Sequence, residues 1–351
     1  MRKEAANNIV ITLLVPVYNT EKYIRRCLDS VLIDEINDKI EILVISDGSE
    51  DGSVEIVKEY AAKYPDTVKL VEKENGGHGS TINKGIELAS GKYFRVLDSD
   101  DWFDISAFKK FVNLLENTDC DLVVSDYSEE FIYEHREEPH YHNFLTPGKV
   151  YRFDEMKLSD FQGEYFTLAT STYKTDVLRE AGVQLDEKTF YVDMEYNIEA
   201  ITKVYDFVYF DLNLYKYYIG RPEQSISVES TVRHKMDHDK VTRKMVAYYE
   251  AQRNKVSEVK LKYMRMMNQY MIHTHYTIFC TYDPDKRDAR EKIQAFDSFL
   301  KETSPELYAV SQKDLYIKLF RWNNFVLVGR VRGLINIAYF SFRRMRDSFA
   351  R

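Results

Sequence analysis

The sequence predicts an α/β protein: a mostly parallel sheet flanked by helices, followed by a helical C-terminal region. Three observations lead there. Apolar runs of strand length at Ile9–Val15, Ile40–Ile45, Val68–Val71 and Tyr93–Leu97 alternate with stretches of helical periodicity. Each run stops at a polar or glycine-bearing segment. From about Val232 to Leu300 the chain has few helix breakers. Strands that are apolar throughout are buried on both faces, as in a parallel sheet covered by helices.

The elements follow in order. Ile9–Val15 breaks at Pro16–Asn19, and Tyr23–Leu32 carries Ile24, Leu28 and Val31 at helical spacing with Thr20 as N-cap. Ile40–Ile45 ends in the turn Ser46-Asp47-Gly48-Ser49, and Val54–Tyr60 resumes a helical pattern. Val68–Val71 leads into Asn75-Gly76-Gly77-His78-Gly79 and a helix over Thr81–Leu88. Tyr93–Leu97 runs into Asp98-Ser99-Asp100-Asp101. After a strand at Asp121–Ser125, Phe131–Phe153 is rich in His, Glu and Tyr, fitting a hairpin or a binding excursion. Asp176–Gly182 and Asp193–Lys203 look helical, and Val204–Tyr218 is a Tyr-rich strand. In open α/β sheets ligands sit beyond the carboxyl ends of the strands. Pro16–Asn19, Ser46–Ser49, Asn75–Gly79 and Asp98–Asp101 all fall there, so four polar loops converge on one edge.

Composition narrows the function. The 351 residues are 44% hydrophobic and 30% charged, as in an ordinary globular protein. A net charge of −8 repels a phosphate backbone and argues against nucleic acid as a partner. Cys27, Cys120 and Cys280 lack metal-ligand spacing and read as reduced, buried thiols of a cytoplasmic protein. Arg2 and Lys3 before the first apolar run mimic a signal peptide, but the run ends at Pro16 without a small-residue cleavage site.

Three loops carry candidate chemistry. Asp98, Asp100 and Asp101 at a strand end suit a hard cation shared with a diphosphate, or a solvated turn with a helix cap. Asp47 can accept a nucleobase imide N–H or close an Asx turn. The glycines before Thr81 allow a phosphate to approach a helix N-terminus, or form a plain loop. His78 fits either role. Neither G-x-G-x-x-G nor a P-loop pattern is present.

Taken together, Val15-Pro16-Val17-Tyr18-Asn19, Glu21-Lys22-Tyr23-Ile24, Asp47–Ser53, Asn75-Gly76-Gly77, Asn83-Lys84-Gly85, Ala89–Tyr93 and Leu97–Asp101 resemble the opening of family-2 glycosyltransferases over residues 9–105. A weaker likeness continues through Tyr173-Lys174, Tyr191–Glu195 and Tyr217–Ser227. The resemblance implies a GT-A nucleotide-sugar-binding fold, a UDP-sugar donor and inversion at the anomeric carbon. By that likeness Pro16 and Tyr18 line the base pocket and Asp47 binds uracil. Asn19, Glu21, Asn75, Gly76, Lys84, Ser99 and Arg221 complete the donor site. Asp98 and Asp100 form a D-x-D motif for Mn²⁺ or Mg²⁺, with Asp100 nearest the metal, and Asp193 is the general base. Ser46 stands where the family commonly has Asp, and Val192 where it often has Glu. A Gln-x-x-Arg-Trp motif is absent, which argues against a processive synthase.

This gives a catalytic domain at 1–230, its donor-binding half about 1–125 and its acceptor half about 126–230, and a mainly helical region at 231–351. The acceptor implied is a glycan or lipid-linked hydroxyl in cell-surface polysaccharide synthesis. The rivals are a sugar-phosphate nucleotidyltransferase, which wants a basic Gly-rich signature after the first strand, and a catalytically inactive binding module on the same fold. Val331, Leu334, Ile335, Ala338, Phe342 and Met345 fall on one helical stripe, with Arg330, Arg332, Arg343, Arg344 and Arg346 beside it. Residues 321–351 hold seven Arg against one Asp, +6 in all, so the rest of the chain carries −14. A basic amphipathic helix of this kind suits the anionic inner face of a membrane, or docking on the acidic body of the protein.

Overall fold

The computed structural model describes residues 9–220 and 227–328. Arg221 and the amphipathic stripe beyond Gly329 lie outside the described residues. The chain divides into two compact units: Met1–Phe153 with Phe166–Arg221, and Asp154–Tyr165 with Pro222–Arg351.

The first unit is built on one sheet. β1 (Ile11–Val17), β2 (Ile40–Asp47), β3 (Val68–Lys73) and β4 (Tyr93–Val96) arise from the four apolar runs. β5 (Trp102–Phe103), β6 (Leu122–Phe131), β7 (Arg136–His140), β8 (Val150–Arg152), β9 (Ser171–Lys174) and β10 (Asp206–Ile219) complete it. The order is β3-β2-β1-β4-β9-β6-β10-β5, with β7 on β6 and β8 on β10. β1 pairs in parallel with β2 and β4, as do β2 with β3 and β6 with β10. The expectation of a mostly parallel sheet holds, with β1, β2, β3, β4, β6 and β10 running in one direction. β9 runs antiparallel between β4 and β6, and β5, β7 and β8 are antiparallel too. Because β9 reverses direction twice over, β6 and β10 again point the same way as β4. Their C-terminal ends reach the edge where β1, β2 and β4 end.

Helices cover the sheet. α1 (Ile24–Asp29), α2 (Ser53–Lys63) and α4 (Ile105–Glu116) bury Ile24, Leu28, Val57, Phe108, Phe111 and Leu115 against Leu13, Val15, Ile42 and Val44. α3 (His78–Leu88), α5 (Thr175–Ala181) and α6 (Val192–Ala200) complete the helices of this unit. Thr20 does not cap α1 through its side chain; its carbonyl instead accepts from the N–H groups of Tyr23 and Ile24.

The second unit is helical: α7 (Val228–Arg233), α8 (Lys235–Gln252), α9 (Glu258–Thr277), α10 (Lys286–Thr303), α11 (Pro305–Ser311) and α12 (Leu315–Trp322). Caps explain the boundaries. Ser257, Asp285, Ser304 and Asp314 each accept backbone N–H bonds from the first turn that follows, and Pro305 starts α11 where no N–H is needed. Met264, Met267, Met271, Tyr276, Phe296, Leu300 and Phe320 fill its core. No described helix is long and apolar enough to cross a membrane.

Candidate active site

The loops at the C-terminal ends of β1 and β2 are laced together. The backbone N–H groups of Asn19, Thr20 and Glu21 donate to the side chains of Ser49, Ser53 and Asp51. Asn19 Oδ1 and Glu21 Oε2 accept in return from the N–H groups of Glu50 and Gly52. Asn19 takes a left-handed backbone, φ 53°, a conformation Asn tolerates. Pro16 is buried within β1, whereas Tyr18, just beyond it, is 53% exposed.

Asp47 is 3% exposed and accepts from Lys73, Gly76 and Gly77. Its Oδ1 accepts from Gly76 N–H at 2.8 Å and from Lys73 Nζ at 2.7 Å, and its Oδ2 accepts from Gly77 N–H at 2.7 Å. In this structure Asp47 positions the glycine loop. The loop's glycines serve backbone packing more than ligand approach. A Cβ on Gly79 would lie 2.3 Å from the Asp186 carbonyl oxygen, and one on Gly77 (φ 81°) 2.9 Å from Lys188 N. Lys188 N–H donates to the Gly76 carbonyl, so residues 186–189 lie directly against residues 76–79. Asn75 is exposed. Lys84 stands apart, six residues into α3, about 9 Å along its axis from His78, and pairs with Glu87 at 2.8 Å.

Beyond β4 the acidic turn meets three other elements. His78, first residue of α3, places Nε2 2.9 Å from Asp98 Oδ1. Arg26 of α1 donates to the Asp100 carbonyl at 2.7 Å and lies 3.7 Å from the centre of the Trp102 ring. Tyr215 of β10 accepts from Asp98 N–H and donates its hydroxyl to Asp101 Oδ2 at 2.6 Å, while Tyr218 N–H donates to Asp101 Oδ1. Ser99 and Asp101 are buried. Burial, then the charge of Asp98, pushes the Asp101 carboxyl well above the usual range. Asp101 thus anchors the turn and leaves Asp98 and Asp100 to face the edge of the sheet.

Asp193 lies in the first turn of α6 and joins this group electrostatically. Burial raises its pKa; His78 counters this, and the charge of Asp98 adds to it. Burial pulls the His78 pKa down, but Asp98, Asp193 and Asp47 outweigh it and the net direction is up. Tyr217 is raised by burial and by Asp101, Asp98 and Asp193. Asp98, His78, Asp193 and Tyr217 therefore share one field. Glu195, the alternative carboxylate two residues on, is turned away: it is 1% exposed and accepts Asp186 N–H at 2.9 Å. Glu199 accepts Gln184 N–H in the same manner, so two acidic residues of α6 hold the segment that packs on the glycine loop.

The donor set suits a divalent cation shared with a ligand. Among the described residues no three His, Cys or acidic side chains form a complete metal cage. Mg²⁺-type ions are commonly held by one or two carboxylates plus substrate phosphates. Asp98, about a third exposed, and Asp100 on the same turn match that chemistry.

The four loops and Asp193 named from the sequence lie at this edge, whereas sequence reasoning did not name Arg26, Trp102, Tyr215 or Tyr218 and left His78 open. The period-2 tyrosines of Val204–Tyr218 were the available signal.

A family model described as Glycosyl transferase family 2 matches residues 12–182. The uncharacterized glycosyltransferase MG025 homolog of Mycoplasma pneumoniae is 31% identical over 224 residues, 62% of this chain and 71% of that protein. The chain belongs to glycosyltransferase family 2. EpsH of Bacillus subtilis (strain 168) is 38% identical over 161 residues, 42% of this chain and 46% of EpsH, so the match spans under half of that relative. Among solved structures, S. aureus TarS 1–349 in complex with UDP-GlcNAc superposes with a TM-score of 0.63 at 16% identity, covering 93% of this chain and 92% of that one. That likeness shows the GT-A fold.

Proposed function

We propose that this glycosyltransferase moves a hexosyl or N-acetylhexosaminyl group from a UDP-sugar to a hydroxyl of a glycan or lipid-linked acceptor, with inversion, in cell-surface polysaccharide synthesis. The observation that carries the reading is the shared field of Asp98, His78 and Asp193 at the sheet edge. One place there has a carboxylate suited to a metal, and another suited to a proton.

Asp193 accepts the proton of the acceptor hydroxyl as its oxygen bonds the anomeric carbon. The bond to the UDP oxygen breaks and UDP leaves with the electron pair. An alcohol is a weak nucleophile while protonated, which is why a base is needed. Asp98 and Asp100 would hold the cation. Mn²⁺ or Mg²⁺ bound there would neutralise charge developing on the diphosphate. Pro16, Tyr18, Asn19 and Glu21 frame the base side of the cleft, with Asn75, Gly76, Ser99 and Arg221 as further donor contacts; Lys84, paired with Glu87 away from His78, is left out of the donor set. Asp47 Oδ2 accepts one bond and retains capacity for a second, which a uracil imide N–H would fill. The UDP-GlcNAc and UDP complexes of S. aureus TarS support a uridine donor. The +6 of residues 321–351 supports a peripheral place at the cytoplasmic face of a membrane.

The test is a thermal-shift panel of UDP, GDP, ADP and CMP with and without Mn²⁺. A ligand that binds only the native state raises its melting point. UDP with Mn²⁺ should stabilise most; equal stabilisation by GDP would overturn the uridine reading.

A further inference from the structure

The second unit contains a cavity of about 480 Å³ lined by Lys286, Arg287, Arg290, Phe325, Val326 and Val328, with Glu291 and Gln294 at its wall. Three cations against one carboxylate leave +2 at this spot, on a chain whose total is −8. The other wall is apolar. It is held in place by α10: Arg290 donates to the Asn324 carbonyl at 3.1 Å, and Gln294 to the same oxygen at 3.4 Å. Asn324 and Phe325 both have left-handed backbones, φ 51° and 60°, a costly conformation for Phe. The same stretch of chain leaves large apolar side chains uncovered: Leu315 is 80% exposed, Trp322 82% and Val326 44%.

We propose that this cavity binds the phosphate headgroup of an anionic lipid, with Leu315, Trp322 and Val326 seated at the membrane interface. Lys286, Arg287 and Arg290 supply the anion site. Phe325, Val326 and Val328 supply the apolar side that a free phosphate would not use. Trp prefers the boundary between water and acyl chains. Cavity and tail attract the same partner. This site is separate from the donor site and places the folded second unit itself, not only its tail, at the bilayer.

The experiment uses the full chain with vesicles of phosphatidylcholine alone or with phosphatidylglycerol at 7:3. Binding should need phosphatidylglycerol and should shift Trp emission to the blue, and W322F should abolish that shift. K286Q/R287Q/R290Q should weaken binding at least tenfold, each cation near an anionic surface contributing several-fold. K286Q/R287Q, at more exposed positions, should show a smaller loss in the same direction and guards against misfolding. A chain with R330Q, R332Q, R343Q, R344Q and R346Q should still prefer phosphatidylglycerol. The UDP-dependent melting shift should be unchanged in every variant, which separates this proposal from the donor reading. Wild-type binding retained within twofold by K286Q/R287Q/R290Q overturns the proposal. So does equal binding to phosphatidylcholine alone, or dimerisation through this face without vesicle binding.

Discussion

His78 Nε2 sits 2.9 Å from Asp98 Oδ1, so the helix that opens on the glycine loop is tied to the acidic turn twenty residues later. Asp98 and Asp193 together hold the imidazole pKa above its ordinary value against the opposing pull of burial. A group with a raised folded pKa contributes stability that is complete below its unfolded value and fades as pH rises through the folded one. The H78Q variant should therefore lose more melting temperature relative to wild type at about pH 6, below the unfolded His value of about 6.5, than at about pH 9. Equal losses at both would remove the ion pair as the cause.

Asp193→Asn should lower the transfer rate by at least about a hundredfold, within the range of general-base catalysis, while UDP binding is retained. Because the base must be ionised and its pKa is raised, transfer should fall off in acid at a pH above the ordinary carboxylate range. His78 is the cation that holds this pKa down, so H78A should move the acid limb to higher pH still. A limb unmoved by H78A would break the proposed coupling.

Glu195→Gln separates the two carboxylates of α6. Glu195 holds Asp186 N–H in a buried site, and weakening that contact should destabilise the protein by about 1–3 kcal/mol. Folded enzyme should keep transfer within severalfold of wild type. Abolished transfer in Glu195→Gln beside normal transfer in Asp193→Asn would exchange their roles.

Excess EDTA should abolish transfer and also the Mn²⁺-dependent part of the UDP melting shift. Asp100→Ala should reduce both more than Asp98→Ala. Full turnover in EDTA would exclude the metal at this turn.

Asp47→Ala should cost stability with or without nucleotide. The substitution leaves the Gly76 and Gly77 N–H groups without their acceptor and removes one of three acceptors of Lys73, a loss of about 1–3 kcal/mol. A variant that melts normally yet fails to bind UDP would show a purely ligand-facing role instead.

The parts of this architecture legible in the sequence were those written in local periodicity. The apolar runs at Ile9–Val15, Ile40–Ile45, Val68–Val71 and Tyr93–Leu97 became the parallel strands β1 to β4, the edge strand β3 only partly buried, and their polar ends meet. Four-residue β9, by contrast, has too little pattern to announce that it runs backwards through the middle of the sheet. The site followed the same division. Asp98 and Asp100 were visible because they sit in a motif-like turn, and Asp193 only through the family resemblance. Tyr215 bonding Asp101, 114 residues away, is a tertiary fact that no local window contains. The glycine loop shows the intermediate case: the need for glycine was plain, but the neighbour demanding it was the backbone at 186–189 rather than a ligand.

The Asp101 anchor has a consequence for biogenesis. Among the described residues its carboxylate takes its hydrogen bonds from Tyr215 and Tyr218, near the end of β10. A nascent chain that has emerged through residue 130 holds all four polar loops and the charge of Arg26, yet lacks the hydrogen-bond donors of β10 for this acid, and would keep it hydrated rather than buried. Ribosome-bound intermediates should then be incompetent for nucleotide until the last strand docks. The enzyme would switch on late and all at once, as the C-terminal strand arrives, and fragments ending before Tyr215 would be open to proteolysis at the acidic turn.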